Sequence, residues 1–465
     1  MHRTAWARRL AVLATLVGLV CTTGCATIVI GRPSSVQPSP DNVPAGEVEI
    51  VGATDDPVDE LARNALADLQ AFWSSTFPDV FGQQFQPLSG GYYSVDPGDV
   101  NPQEYPGGVV GCGARPLEAE NNAFYCQAPN TAHSDAITYD RAFLGELAGD
   151  FGRFIPALVM AHEFGHAVQA RVGAPQSSIA TETQADCYAG SWTRWVAEGN
   201  AGHSRLRTPE LDELLRGYLQ LRDPVGTGTA AQSAHGSYFD RVSAFQEGFD
   251  DGAPACRDHF GPDRVFTQGR FTTDKDFARR GDAPYGELWT IVEQSLPTVW
   301  DQAFRDIFSK DFAHPSIQRY PGDAPDCAGD PDRELVFCGD EQLVGIDERK
   351  LARPAYKNIG DFAVATAVSI PYSLSVRDQL GLSTDDGDAV QSAVCLTGWY
   401  AAKVFKGEAG TISVSPGDVD ESVQFLLTYG NDPEVLPDAD LSGFQLVDLF
   451  RNGFLRGLES CQVQQ

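Results

Sequence analysis

The chain has 465 residues, 42% of them hydrophobic and 10% aromatic, with 46 glycines and 29 prolines. This is the composition of a globular protein, in a chain too long for one ordinary domain, so two or three are expected. Its 64 acidic residues outnumber 34 basic ones, for a formal net charge of −30; such a surface repels phosphate backbones, argues against nucleic acid as a partner, and reads as a solvated face keeping an exported chain soluble.

The N-terminus, MHRTAWARRLAVLATLVGLVCTTGCA, places Arg3, Arg8 and Arg9 before an uncharged apolar run from Leu10 and then small residues, the build of an export signal over residues 1–25. Its end, Thr22-Thr23-Gly24-Cys25, resembles the lipobox of bacterial lipoproteins, which implies lipidation of Cys25 and a chain held on the cell membrane facing outside. Thr22 stands where Leu or Val is usual, and Cys21, preceded by Val20, fits less well. An uncleaved anchor through residues 10–30, uncharged and long enough to span a bilayer, is one alternative, and soluble secretion is the other. The Pro- and Ser-rich stretch GRPSSVQPSPDNVPAG that follows reads as a flexible tether, assigned to residues 26–55.

Beyond the tether lie Cys112, Cys126, Cys187, Cys256, Cys327, Cys338, Cys395 and Cys461, an even set that suits disulfides in an exported chain. They form two quartets of similar internal spacing, and other residues repeat with them. Trp73, Phe77, Phe81, Phe85 and Tyr93 recur 227 residues later as Trp300, Phe304, Phe308, Phe312 and Tyr320. Gly173, Cys187 and Gly190 recur 208 residues later as Gly381, Cys395 and Gly398, and FQEGFDDGAPAC from Phe245 recurs after 205 as FRNGFLRGLESC. The shrinking offset is that of a second copy with shorter loops. Two homologous domains follow, 56–260 and 261–465, with the recognisable repeat resuming near residue 280. Of the three connectivities open to each quartet, the duplication favours Cys112 with Cys126, Cys327 with Cys338, Cys187 with Cys256 and Cys395 with Cys461. A bridge closing a loop of about 15 residues stabilises by roughly 3 kcal/mol in the chain-entropy model.

Within the first domain, residues 151–172 read as a helix carrying AHEFGHAVQ at 161–169. Four residues of helix turn through about 400°, so His162 and His166 project from one face and reach one ion. Glu163 then lies beside the metal as general base. The pattern alone is short enough to arise by chance on a surface helix. TETQADCYAGSW, residues 181–192, adds Glu182 and Asp186, again four apart on one helical face. With Glu182 as third protein ligand the fourth tetrahedral position stays open, as in a catalytic Zn2+ site, and Asp186 is expected to accept an N–H from His162 and fix its tautomer.

HEFGHAVQ followed by ETQADCYAGSW resembles the bacterial neutral zinc metallopeptidases, whose pattern is HExGHxxQ and then ELQADCxAGxW. Cys112-Gly113 with Phe124-Tyr125-Cys126 resembles their CG and FYC element, and HGSYFDRVSAFQEGF from His235 resembles their HGTSxQRxxxFxxGF. The resemblance covers most of the first half, with Thr183 in place of the usual Leu and Tyr238-Phe239-Asp240 in place of the Ser-x-Gln-like stretch. It implies a zincin fold, a Glu-type third ligand and peptide-bond hydrolysis. His235 is a candidate to stabilise the oxyanion of the tetrahedral intermediate, with Tyr188, Tyr238 and His203 as weaker ones.

Carried to the second copy, His162, Glu163 and His166 fall on Ile370, Pro371 and Leu374, Glu182 and Asp186 on Val390 and Val394, and His235 on Asp440. The candidate set vanishes together while the cysteines and glycines stay. The expectation is a helix-rich α+β protein, a zincin-like peptidase domain followed by a homologous pseudo-domain that shapes the substrate groove or binds an unknown protein partner. The expected activity is zinc-dependent cleavage of peptide or protein substrates in the envelope or outside the cell. The rivals are an envelope binding or scaffold protein with an idle zinc site, and a hydrolase of non-peptide amides such as wall cross-links.

Overall fold

Helix α1 (Pro57–Phe81) starts where Asp56 accepts the N–H of Val58 at 2.8 Å and Pro57, with no N–H to leave unpaired, takes the first helical position. The computed structural model describes residues 48–463 except Asp438, so the export signal, Cys25 and the tether to residue 47 lie outside the described residues. After α1 come strands β1 (Gly91–Val95), β2 (Ala123–Cys126) and β3 (Ala136–Asp140), then helices α2 (Arg141–Phe151), α3 (Ile155–Val172), α4 (Ser178–Ala197), α5 (Thr208–Leu221) and α6 (Tyr238–Asp258). A short α7 (Asp274–Arg279) leads to the second set: α8 (Tyr285–Ala303), β4 (Ser316–Tyr320), β5 (Leu335–Cys338), β6 (Leu343–Asp347), α9 (Arg353–Asn358), α10 (Asp361–Leu380), α11 (Gly387–Phe405), α12 (Asp418–Tyr429) and α13 (Gly443–Arg456). Among the described residues no helix is long and apolar enough to cross a membrane.

The two sets share one topology. In the first sheet β3 is central, parallel to β1 and antiparallel to β2; in the second β6 is central, parallel to β4 and antiparallel to β5. Asp140 ends β3 and caps α2, and Asp347 ends β6 and caps the turn leading into α9. The strand register corrects one equivalence drawn from the sequence offset. Tyr93 lies opposite Thr138 whereas Tyr320 lies opposite Asp347, so Tyr320 takes the place of Val95. Side chains alternate along a strand, and a slip of two keeps the tyrosine on the same face.

Both domain edges differ from their sequence assignment. Val51, placed in the tether, donates its N–H to the Tyr92 carbonyl at 2.9 Å and accepts from the Ser94 N–H at 2.9 Å, with Ile50 buried beside it. Two apolar residues found a sheet edge to cover, which the Pro- and Ser-rich run before them does not foretell. Past residue 260 the chain is still tied to the first set, through the N–H groups of Thr267 and Gln268 on the Asp240 carboxylate at 2.7 and 3.0 Å.

Helices α4 and α6 cross in backbone contact. A Cβ added to Gly190 would sit 1.9 Å from the Phe245 carbonyl oxygen, and one added to Gly248 would sit 1.8 Å from that of Cys187. The crossing of α11 and α13 repeats this, with Gly398 at 1.9 Å from the Phe450 oxygen and Gly453 at 1.8 Å from that of Cys395. Only glycine admits such an approach. Disulfide Cys187–Cys256 joins α4 to α6 and Cys395–Cys461 joins α11 to the turn just after α13, while Cys112–Cys126 and Cys327–Cys338 staple the loop before each central hairpin.

The two sets meet through reciprocal contacts. Asp212 of α5 accepts the N–H groups of Gly443 and Phe444 at the start of α13 at 2.9 and 2.7 Å, and Asp420 of α12 accepts those of Tyr238 and Phe239 at the start of α6 at 3.2 and 2.9 Å. Phe239 packs on Phe450 and Phe454 with ring centroids 6.1 and 4.8 Å apart, and Phe444 packs on Phe245 and Phe249 at 6.4 and 5.0 Å. Each partner on one side has its counterpart on the other, the isologous pattern of a two-fold dimer, here within one chain.

Replacing Gly190 with Ala is expected to destabilise the protein by about 3 kcal/mol or more through forced separation of α4 and α6. Gly149→Ala in α2, where an added Cβ meets nothing within 4 Å, should be neutral or stabilising. Denaturant unfolding of both variants checks the pair, and equal midpoints would contradict the role given to the crossing.

Candidate metal centre

Helix α3 is buried on nearly every side, with Leu158, Met160, Ala161, Phe164, Ala167 and Val168 in the core. His162 and His166 are among its partly exposed side chains, at 12% and 17%. Gly165 brings α3 onto α4 so closely that a Cβ there would lie 2.9 Å from the Ala185 Cα. That contact sets Glu182 and Asp186, at either side of Ala185, against the two imidazoles.

Three donor atoms converge. His162 Nε2 and His166 Nε2 are 3.2 Å apart, and Glu182 Oε2 lies 3.3 Å from the first and 3.4 Å from the second. A tetrahedral shell with bonds of about 2.0–2.1 Å has donor-to-donor edges of about 3.3–3.4 Å. The triangle therefore has the dimensions of one face of a zinc shell, with the fourth vertex toward the cleft.

Each imidazole is held from behind. His162 Nδ1 lies 2.8 Å from Asp186 Oδ1, and Asp186 is gripped by Arg241 of α6, with Nε donating to Oδ2 and Nη2 to Oδ1, both at 2.8 Å. His166 Nδ1 lies 2.8 Å from Gln169 Oε1, whose amide donates to the Thr181 carbonyl at 2.7 Å and to Gln184 Oε1 at 3.0 Å. Such partners orient a ligating ring and select its tautomer. Burial opposes charge on His162, but the Asp186 and Glu182 carboxylates carry its pKa up to about 10; His166 is raised in the same way, by its hydrogen bond to Glu182 against the same desolvation. Desolvation would raise Glu182 too, yet the two rings hold it well below the usual carboxylate range.

Glu163 is buried, and its Oε2 accepts the N–H of Tyr125 in β2 at 2.7 Å. Desolvation is the main cause that raises its pKa. Strand β2 is a sheet edge: Asn122 and Cys126 accept from β3 and the residue before it, so Ala123 and Tyr125 turn their backbone groups the other way, into the cleft. The cleft holds about 490 Å3 and is walled by these strand residues, the metal-site side chains, Tyr218, Arg222, Asp223, His235 and Arg241. His235 thus lies on the cleft wall, with Nδ1 3.1 Å from Asp223 Oδ1 and its backbone N–H on Asp223 Oδ2 at 2.8 Å.

The three weaker candidates lie elsewhere. Tyr188 packs edge-on against Trp73 at 5.4 Å, the Tyr238 hydroxyl donates to the Leu215 carbonyl at 2.7 Å, and the His203 backbone N–H binds Asp68. None of the three lines the cleft. Sequence reasoning missed Arg241, Gln169, Asp223 and the Tyr125 N–H. Gln169 carried a signal, three residues after His166 on the same helical face, and so did Arg241, the arginine that HGSYFDRVSAFQEGF shares with HGTSxQRxxxFxxGF; Asp223 carried none, since it arrives from a separate loop. In the second copy the line His162, Asp186, Arg241 becomes Ile370, Val394 and Leu446, all buried.

A family model described as "Putative neutral zinc metallopeptidase" matches residues 7–260. The uncharacterized protein YpfJ of Escherichia coli (strain K12) is 30% identical over 257 residues, covering 50% of this chain and 79% of that protein. The uncharacterized protein Rv2575 of Mycobacterium tuberculosis (strain ATCC 25618 / H37Rv) is 30% identical over 177 residues, covering 33% of this chain and 60% of that protein. No solved structure matches.

Because both histidine pKa values are raised, with His162 at about 10, the metal-free site holds a proton at pH 7 that a ligating imidazole must give up. Adding Zn2+ to metal-free protein at pH 7 is expected to release at least one proton per ion, and affinity should rise with pH. Calorimetry in buffers of different ionisation heat measures this; a heat that does not depend on the buffer would contradict it.

Proposed function

This chain belongs to the neutral zinc metallopeptidase family, and from that premise we propose that it is a peptidase holding zinc on His162, His166 and Glu182, with Glu163 as general base. The observation that carries the reading is the donor triangle of 3.2–3.4 Å edges with the Glu163 carboxylate beside it in an open cleft. Zinc, when bound, supplies a Lewis acid for a scissile carbonyl and brings the pKa of water toward neutrality.

The chain's own groups do the rest. Glu163, with Oε2 held on the Tyr125 N–H, takes the proton of the attacking water at Oε1 and returns it to the departing nitrogen. His235, as an imidazolium whose Nδ1–H is held by Asp223, donates from Nε2 to the oxygen on which negative charge develops. Asp186, backed by Arg241, keeps His162 oriented and its Nε2 turned to the metal. The free edge of β2 supports a peptide as substrate, since an extended chain can pair with the outward backbone groups of Ala123 and with the Tyr125 carbonyl, the Tyr125 N–H being held by Glu163. The second half serves the site by positioning: Asp420 caps α6, which carries Arg241, and accepts Arg222 from the cleft wall at 2.9 Å. The export signal and the lipobox-like Cys25 support a lipid-anchored protein outside the cell, and four disulfides suit that oxidising compartment.

Glu163→Gln is expected to keep its zinc while kcat/KM on peptides falls by about 10²–10⁴; cleavage equal to the parent's would sink the enzyme reading in favour of a binding role. His166→Ala and Glu182→Ala should lose the metal itself. For His235→Ala the expectation is unchanged zinc content with kcat down by about 10²–10³, and an unchanged kcat would remove it from the mechanism. A panel of peptides and wall amides under the same assay separates the substrate classes. Cys25→Ser should release the protein from the membrane fraction, and retention there would favour the uncleaved anchor.

A further inference from the structure

The second half carries a largely buried group of carboxylates that forms no ion pair among the described residues. Asp361 opens α10, Asp418 and Glu421 lie on the first turn of α12, and Asp282 comes from the loop before α8. One oxygen from each of Asp282, Asp361 and Glu421 lies within 4.8 Å of the others. Backbone N–H groups orient them: Ala283 donates to Asp361 Oδ2 at 2.7 Å, Phe362 to Glu421 Oε2 at 2.8 Å, and Ser415 to Asp418 Oδ2 at 2.7 Å. Asp361 and Asp418 are only 8% and 6% exposed, yet Oδ1 of each has no hydrogen-bond partner. Among the described residues, no Lys or Arg nitrogen comes within 4.0 Å of any of the four carboxylates.

The first copy shows how the same corner is neutralised when no ion is needed. There, 208 residues earlier, Arg153, Arg207, Glu210 and Glu213 stand where Asp361, Ser415, Asp418 and Glu421 stand in the second copy. The backbone matches: Arg207 N–H donates to Glu210 Oε2 at 2.6 Å as Ser415 N–H does to Asp418. A Cβ on Gly152 would meet Glu213 Oε2 at 2.4 Å, as one on Gly360 would meet Glu421 Oε1 at 2.0 Å. In the first copy Glu210 Oε1 has guanidinium nitrogens of Arg153 at 3.3 Å and Arg207 at 3.2 Å. The second copy replaces one arginine by an aspartate and the other by a serine, so a neutral quartet becomes a triple negative one before Asp282 is added. Carboxylates this crowded need protons or a cation among them: burial and mutual repulsion raise the pKa values of Asp361, Asp418 and Glu421, and a cation would supply the charge that Arg153 and Arg207 supply in the first copy.

We propose that Asp282, Asp361 and Glu421, with Asp418 beside them, form a second metal site, for a hard divalent cation of the Ca2+ class, unrelated to the histidine centre. The donors are all carboxylates, which suit Ca2+ better than the softer zinc. Calcium bonds of about 2.3–2.6 Å place opposite ligands about 4.6–5.2 Å apart, which accommodates the oxygens of Asp282, Asp361 and Glu421, within 4.8 Å of one another. The ion takes the place of Arg153 and ties the starts of α10 and α12 to the loop entering α8. Its role is structural: the site holds together the half that caps α6.

The test uses the full chain loaded with one equivalent of zinc, titrated with Ca2+ by calorimetry and followed by thermal unfolding. One Ca2+ per chain and a rise of several degrees in Tm are expected, with a weaker response to Mg2+. Asp361→Arg, which rebuilds the pairing of the first copy, should abolish both the binding and the shift while leaving zinc content unchanged. Asp282→Asn, at the more exposed ligand, should weaken Ca2+ at least tenfold and decides the matter should Asp361→Arg fail to fold. A parent protein indifferent to millimolar Ca2+, a response to Mg2+ alone, or full Ca2+ binding by either folded variant would overturn the site.

Discussion

The contact on which the rest depends is the glycine crossing of α4 and α6. With Gly190 and Gly248 in place, the two backbones approach until carbonyl oxygens fill the space of absent Cβ atoms. That approach brings Arg241 on α6 to Asp186 on α4, and Asp186 in turn reaches His162 on α3. Gly165 then sets the spacing of α3 on α4, and Glu182 falls where both imidazoles meet it. Widening either crossing by the thickness of a methyl group would move a ligand by more than a coordination bond tolerates. The disulfide between Cys187 and Cys256 closes the same helix pair covalently, so the chemistry rests on a rigid frame.

The second copy keeps that frame and discards the chemistry. Gly398 and Gly453 repeat the crossing, and Ser392 donates to the Cys461 carbonyl as Gln184 does to that of Cys256. Where the first copy places a partly exposed histidine on a buried carboxylate and guanidinium, the second buries Ile370, Val394 and Leu446. A buried charged network is costly unless each member is satisfied, and well-packed apolar residues of similar volume serve stability as well or better. Once no metal has to be held, nothing favours the charges. The reverse exchange occurs near Asp361, where a corner neutral in the first copy becomes acidic in the second.

The halves are joined as two copies of a dimer would be. Asp212 and Asp420 exchange helix caps, and Phe239 and Phe444 exchange the aromatic contacts that surround them. A carboxylate at a helix start satisfies N–H groups that have no partner within the helix and meets the positive end of its dipole. Because the start of α6 is capped from the other half, the arginine behind His162 owes its position to Asp420, which caps residues 181 and 182 positions before it in the chain. The copy without the histidine centre is thereby part of the architecture of the copy that carries it.

His162, Glu163, His166, Glu182 and Asp186 were readable because a helix repeats on a local period, and residues four apart share a face whatever surrounds them. The duplication, and with it the cysteine pairing, was readable because the chain carries the same pattern twice. The tether boundary at Val51 and the register of Tyr320 were not, since each depends on which strand lies alongside. Nor were Arg241 on Asp186, the Tyr125 N–H on Glu163, or Asp223 behind His235, which join segments 55, 38 and 12 residues apart. The sequence by itself determined which side chains could bind an ion and which copy had lost them. Only the tertiary structure decided how those side chains are held, because that follows from which faces pack, and packing between distant segments leaves no period in the chain.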